Sequence, residues 1–138
     1  MAFSGFAMVG IQGHIMIKKE SFETPLGWWL RDLGGIPVDR SNSRGLVEQM
    51  VAEFEARDEF QLAFAPEGTR NGKGRIKTGF WHVANGAGVP IICWYLDKRS
   101  KRTRWLGKIE PTGDLERDLA ALKELYADAG HDIQGIRV

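Results

Sequence analysis

Short apolar runs of strand length alternate along this 138-residue chain with segments whose apolar residues recur every three to four positions. That order leaves few architectures open, because parallel strands need crossovers long enough to hold a helix, and each helix then covers a face of the sheet. His14 to Lys18 alternates polar and apolar residues, with Ile15 and Ile17 on one side, and reads as a strand. Thr24 and Pro25 read as the N-cap and first residue of a helix that carries Leu26, Trp28, Trp29 and Leu30 and stops at Gly34. Ile36 to Val38 is a second short strand, and Pro37 within it predicts a strand edge or end. Ser43 reads as the N-cap of a helix with Leu46, Val47, Met50, Val51 and Phe54 on its apolar face. Gln61 to Ala65 is a third strand, ended by Pro66 and Gly68. Phe80 to Asn85 suggests a short helix closed by Gly86 and Gly88, and Val89 to Leu96, the most apolar run, reads as a buried strand containing Cys93. Asp114 then caps a last helix with Leu115, Leu119, Leu122, Leu125 and Tyr126 on its inner side, ending at Gly130. The expectation is an α/β fold, a single domain over residues 1–138 with a largely parallel sheet flanked by helices.

Composition narrows the function classes. With 43% hydrophobic and 27% charged residues the chain is globular, and at this length folding hides roughly 68% of the surface of the unfolded chain, enough for a core and one concave site. Nineteen Lys and Arg against eighteen Asp and Glu give a formal charge of +1, too balanced for a protein that grips nucleic acid through overall charge. Cys93, the single cysteine, excludes an internal disulfide framework, and three scattered histidines offer no spacing for a structural metal site. A reducing compartment is expected. No apolar run reaches the roughly 18 residues of a membrane-spanning helix, and Met1 to Gln12 lacks the charged start and long apolar centre of a secretory signal. An apolar segment with no capping residue before it reads as the last turns of a helix whose beginning is absent from this chain.

Several kinds of site fall away directly. No Gly-x-Ser-x-Gly elbow occurs, and Lys77 and Thr78 follow Ile76 where a nucleotide-binding phosphate loop needs glycine. Cys93, in an apolar strand, reads as an inert small hydrophobe more readily than as a nucleophile. The informative segments are two strand ends, Gly34-Gly35-Ile36-Pro37-Val38-Asp39-Arg40 and Ala65-Pro66-Glu67-Gly68-Thr69-Arg70. Ligands of α/β sheets bind beyond the carboxyl ends of the strands, and each segment puts an arginine just past such an end. Planar guanidinium forks converging on one cleft suit a phosphate. Glu67 would orient an arginine or accept from a substrate hydroxyl, and Gly68 lets backbone approach a ligand closely. The competing reading is that both arginines pair with Asp39 and Glu67 and staple loops.

These segments resemble the glycerolipid acyltransferase family, which includes the lysophosphatidate acyltransferases. Gly34 to Arg40 is similar to the family's second block, and Ala65 to Arg70 resembles its third, Phe-Pro-Glu-Gly-Thr-Arg, with alanine in the first place. Lys77-Thr78-Gly79 resembles the Lys-x-Gly that follows, and Val89-Pro90-Ile91-Ile92 is similar to the fourth block, a proline inside an apolar strand. The resemblance covers roughly Lys18 to Leu96, with the blocks in the family's order. It implies an O-acyltransferase that moves an acyl group from acyl-CoA or an acyl carrier protein to the hydroxyl of a lysophosphatidate-like acceptor, with no metal or redox cofactor. By resemblance Arg40 and Arg70 hold the acceptor's phosphate with Lys77 as a further cation. Glu67, Gly68 and Thr69 shape the acceptor pocket, and Val89, Pro90, Ile91 and Ile92 pack on the acyl or oxyanion side.

One block is missing. The family's first block, His-x4-Asp, supplies the general base and the aspartate that orients it, yet the fifth residue after His14 is Lys19, after His82 Ala87 and after His131 Ile136. The expectation is either a chain that begins just after that block or a member that lost catalysis and acts as a phosphate or lipid-headgroup binding module. The resemblance also implies a cytoplasmic protein peripheral to the inner membrane face, with a membrane surface and no nucleic acid as partner. Two further features bear on this. Trp28, Trp29, Trp81, Trp94 and Trp105 are many tryptophans for this length, read as core residues for the most part, with a membrane interface as the other reading. Lys98, Arg99, Lys101, Arg102 and Arg104 read as a solvated connection between strands or as a patch facing anionic lipid.

Overall fold

The computed structural model describes residues 13–39, 41–64, 77–97 and 102–130. The chain packs as two compact units, within residues 1–65 and 66–138. The first contains strand β1 (His14–Lys18), a 3-10 turn (Lys19–Glu23), helix α1 (Gly27–Asp32), strand β2 (Gly35–Val38), helix α2 (Ser43–Glu55) and strand β3 (Leu62–Ala63). Its three strands are all parallel, in the order β2-β1-β3. Ile15 stands opposite Gly35 and its N–H donates to the Gly34 carbonyl at 3.1 Å, while the His14 N–H donates to Gln61 at 2.7 Å. Alternate residues of a strand direct their backbone groups to opposite sides, so on β2 Ile36 and Val38 serve β1 and Pro37 faces away. Its missing N–H therefore costs the ladder nothing, and its carbonyl accepts from Gln49 Nε2 of α2 at 3.0 Å. Ile36, Val38 and Met50 are the buried apolar side chains of this unit among the described residues.

The parallel sheet and its helices match the expectation, whereas two helix starts are corrected. Thr24 does not cap α1. Its hydroxyl donates to the Ser21 carbonyl at 2.8 Å and closes the 3-10 turn, so the helix starts at Gly27 behind Leu26 with no side-chain cap. Gly34 follows α1 at φ +80, and a Cβ on Gly35 would lie 2.5 Å from the Leu30 carbonyl oxygen. Glycine at both places lets β2 begin immediately beside the helix it has just left. At α2 the cap is Asn42, one residue before the expected Ser43. Asn42 holds the extended backbone that a cap needs, and its side-chain oxygen accepts from the Gly45 N–H at 3.0 Å.

The second unit contains helix α3 (Gly79–Ala87), strands β4 (Ile91–Asp97) and β5 (Arg102–Ile109), and helix α4 (Leu115–Asp128). Gly88, at φ +65, ends α3, with Gly86 inside the helix. β4 and β5 form an antiparallel pair whose register shifts between Cys93 and Trp94. This pair is an addition to the parallel pattern, and it corrects the reading of β4 as fully buried. Cys93 is buried while its neighbours Ile92 and Trp94 are exposed, the alternation of a strand covered on one face. α4 covers that face at Gly107, where a Cβ would come within 2.9 Å of Leu125 Cδ1. The core of this unit is Phe80, Trp81, Val83, Ala84, Cys93, Leu119 and Leu122.

Asp114 caps α4 as expected, accepting from the Arg117 N–H at 3.1 Å. One turn on, Asp118 is a buried charge. Its Oδ2 accepts from Trp81 Nε1 and from the Thr112 N–H, both at 2.8 Å, and its Oδ1 accepts from the Thr112 hydroxyl at 2.8 Å. Burial pushes this carboxyl up, but the three hydrogen bonds and nearby Arg117 outweigh it and hold the group below its ordinary value of 3.8. The tryptophans are a further correction, because Trp81 alone of the five is buried and Trp28, Trp29, Trp94 and Trp105 are exposed.

Candidate functional site

The parallel order fixes where the two informative segments leave the sheet. β2 ends at Val38 and β3 at Ala63, and since both run parallel to β1 they end at the same edge. With β1 between them, and with Val38 level with Lys18 but Ala63 level with Ile15, the two ends lie two strand spacings across and three residues apart along the sheet, about 14 Å. The chain thus departs from one edge just before Asp39-Arg40 and just before Ala65 to Arg70, the edge at which α/β sheets bind ligands. Arg40, Glu67, Gly68, Thr69 and Arg70 lie outside the described residues.

Asp39, the first residue past β2, is described. One of its oxygens accepts from the Ser41 hydroxyl at 2.6 Å and from the Ser41 N–H at 2.8 Å, and these two bonds hold its carboxyl below the ordinary value. These bonds tie the end of β2 to the residue just before the Asn42 cap of α2. Sequence reasoning offered Asp39 as a partner for an arginine and missed Ser41, which an Asp-x-Ser spacing signals.

On the second unit Lys77 is exposed ahead of α3. Val89 and Pro90 precede β4, which starts at Ile91, so the proline lies before the strand instead of inside it. The Val89 N–H donates to the Ala84 carbonyl at 3.0 Å, extending the cap of α3. Ile91 is half-buried opposite Ile109, and Ile92 is exposed opposite Lys108. Burial pushes the Cys93 thiol up to about 11, which leaves it protonated at neutral pH and agrees with its reading as an inert hydrophobe.

The first unit also holds a cleft of about 320 Å³ at the amino edge of its sheet, lined by His14, Arg31, Gly34, Glu53 and Arg57 among others. Arg57 pairs with Glu53 at 2.7 Å and donates to His14 Nε2 at 3.2 Å. A guanidinium only donates, so Nε2 accepts and the imidazole proton sits on Nδ1, where among the described residues it is buried without a partner. None of the site residues expected from the sequence lines this cleft. Among the described residues no group of His, Cys, Asp and Glu could hold a metal ion.

Comparison with known proteins adds the family. A model of the acyltransferase family matches residues 5–97, a stretch that runs through both units. The 1-acyl-sn-glycerol-3-phosphate acyltransferase of Escherichia coli K12 is 39% identical over 71 residues, covering 47% of this chain and 28% of that protein. The enzymes of the same name from Streptococcus pneumoniae and Limnanthes alba are 30% and 36% identical over 91 and 92 residues. The matches cover 65% and 62% of this chain, and 34% and 32% of those proteins. The chain thus spans about a third of the length of these relatives. No solved structure matches it. The family match extends over more than half of the chain, and on that basis this chain belongs to the acyltransferase family.

Proposed function

We propose that the chain carries the acceptor-binding part of an O-acyltransferase. It would move a fatty acyl group from acyl-CoA or acyl carrier protein to the free hydroxyl of a lysophosphatidate-like glycerolipid. The observation that supports this reading most is the family match through residues 5–97, joined to the glycerophosphate acceptor in the names of all three relatives. In the reaction the acceptor oxygen attacks the thioester carbonyl carbon, a C–O bond forms and a tetrahedral oxyanion appears. Its collapse breaks the C–S bond, and the leaving thiolate takes up the proton that the hydroxyl gave away. Arg40 and Arg70 each donate paired hydrogen bonds to the acceptor's phosphate, with Lys77 as a further cation. Glu67, Gly68 and Thr69 shape the acceptor pocket, and the Val89 to Ile92 segment packs on the acyl side. In this reading the chain works at the cytoplasmic face of a membrane, where its acceptor lies.

The general base is the part this sequence does not supply, since none of its three histidines begins a His-x4-Asp. General base catalysis contributes roughly a hundredfold to ten-thousandfold, so the 138-residue chain is expected to bind acceptor with negligible transfer. The same observation favours a second reading, a noncatalytic phosphate or lipid-headgroup binding module. Titration calorimetry of the chain with a short-chain lysolipid, phosphorylated and dephosphorylated, tests both. Arg40→Ala and Arg70→Ala should each weaken binding of the phosphorylated form by roughly 2 to 3 kcal/mol, and leave the dephosphorylated form nearly unchanged. Equal loss for both lipids, with a large drop in melting temperature, would make the arginines loop staples and end the phosphate assignment. Family-level turnover by this chain would identify a base outside the first block, with His82 examined first.

A further inference from the structure

We infer that the cleft at the amino edge of the parallel sheet binds a small organic monocarboxylate, with Arg31 and Arg57 as the groups that hold it. Arg57 is fixed in the wall from three sides. Its guanidinium pairs with Glu53 at 2.7 Å, donates to His14 Nε2 at 3.2 Å and stands 5.1 Å from the centre of the Phe60 ring, which packs on the His14 ring at 4.7 Å. These contacts use two of the five N–H groups of the guanidinium and leave the others in a settled orientation. A donor oriented beforehand gives up little freedom when a ligand arrives. Arg31, from the last turn of α1, lines the same cleft. It is exposed, its guanidinium carbon stands 5.9 Å from the centre of the Phe22 ring, and among the described residues no carboxylate pairs with it.

Charge and hydrogen-bond balance name the ligand. Two arginines, one glutamate and a histidine whose Nε2 only accepts give the wall a single net positive charge. Donors also outnumber acceptors on it. The guanidinium groups keep N–H donors and His14 Nδ1–H is buried without a partner, whereas Glu53, the one carboxylate of the lining, is already bound to Arg57. What completes such a wall is an acceptor with one negative charge. The two oxygens of a carboxylate match a guanidinium fork, while a doubly charged phosphate would set its second charge beside Glu53. Ile36 and Pro37 supply an apolar part of the lining for the body of the ligand. The volume of about 320 Å³ equals the share of about ten waters in the liquid, so the ligand has about that many non-hydrogen atoms. β2 starts beside this cleft and ends at Val38, which puts the cleft and the acceptor edge at opposite ends of one strand. The inference thus goes beyond the proposed acyl transfer, and neither depends on the other.

The experiment is titration of the full 138-residue chain with hexanoate, followed through the proton and nitrogen shifts of its amides and arginine Nε–H groups. Saturable shifts should gather at Gly34, Gly35, Arg31 and Arg57, with a dissociation constant in the millimolar range expected of so small a ligand. Arg31→Ala should weaken binding by about tenfold, and its thermal melt should match that of the unmodified chain because the side chain is exposed. Glu53→Gln keeps an acceptor for Arg57 and removes the negative charge. It should tighten hexanoate binding by about fivefold, the effect of one unit charge about 4 Å away in water, and should let inorganic phosphate bind where the unmodified chain prefers hexanoate. Lys123→Ala, an exposed cation on the other unit, should change nothing. The inference is overturned if hexanoate gives no saturable shift, if uncharged hexanol gives the same shifts, or if the shifts gather at Ser41 and Asn42 instead. It also fails if phosphate binds the unmodified chain as tightly as hexanoate, if Arg31→Ala retains full affinity, or if Glu53→Gln does not tighten binding.

Discussion

Asp118→Ala tests how the second unit is held together. Trp81 is 6% exposed, and the substitution takes away the acceptor of its indole N–H, which burial prevents water from replacing. A buried donor left without a partner costs about 1 to 3 kcal/mol. The two Thr112 donors are in a different position, because Thr112 is exposed and both regain water. They add only about 0.5 to 1 kcal/mol together, and removal of a desolvated charge offsets part of the loss, leaving about 2 to 3 kcal/mol. Asp118→Asn is the informative companion. Its side-chain oxygen, placed where Oδ2 stands, still accepts from Trp81 and from the Thr112 N–H, and its amide faces a hydroxyl that rotates to accept, so the loss is about 1 kcal/mol. Urea denaturation at pH 7 measures both, with a midpoint shift of roughly 1 to 2 M expected for the alanine variant. The pH dependence has a definite sign. The folded carboxyl lies below its unfolded value, so its contribution is full above about pH 4 and fades as pH falls through the lowered folded value. The gap between Asp118→Asn and the unmodified chain should therefore narrow below pH 4. An alanine variant within about 0.5 kcal/mol of the unmodified chain would refute the reasoning, as would an asparagine variant equally damaged.

Three further outcomes are expected. Gly35→Ala should destabilise by about 1 to 3 kcal/mol, since the new methyl meets the Leu30 carbonyl at 2.5 Å and Ile17 Cδ1 at 2.8 Å. Gly79→Ala, with nothing within 4 Å, should be neutral or slightly stabilising in the same thermal melts, and the reverse ranking would contradict the packing described. Cys93, its thiol pushed up to about 11 by burial, should react with a disulfide reagent at pH 8 only as fast as the fold opens, and reaction at the rate of a free thiol would show it accessible.

The strand and helix order was legible because period decides it. His14 to Lys18 alternates, and the apolar spacing from Leu46 to Phe54 fits only a helix. Boundaries were less legible where two neighbouring residues compete for one role. Asn42 and Ser43 are both good caps, and the extended backbone that makes Asn42 the cap is not written in either residue's type. Thr24-Pro25 carries a helix-start signal that the preceding 3-10 turn consumes. The burial of β4 was misjudged because an apolar run does not say how many of its faces are covered. Arg57 and His14 were overlooked for another reason. They come together from residues 43 apart, a proximity that no local pattern encodes. The arginines of 34–40 and 65–70 stood out in the sequence because each follows an expected strand end, and Asp118 did not, since a helical aspartate reads as surface until its partners are placed.

The outward edge of β2 bears on how this protein behaves at high concentration. An open strand edge usually templates sheet growth, because each outward N–H and C=O waits for a partner. On β2 the residue in the middle of that edge has no N–H to offer, and its carbonyl is already taken by Gln49. Among the described residues no strand pairs with this edge, and a strand arriving from another molecule would meet a gap in donors and an occupied acceptor, which disfavours edge-to-edge growth on this side. Gln49→Ala frees the acceptor without restoring the donor, and Pro37 alone should then keep most of the protection. Replacing Pro37 by valine in addition would restore the donor as well, and only then would the whole edge be open to an incoming strand.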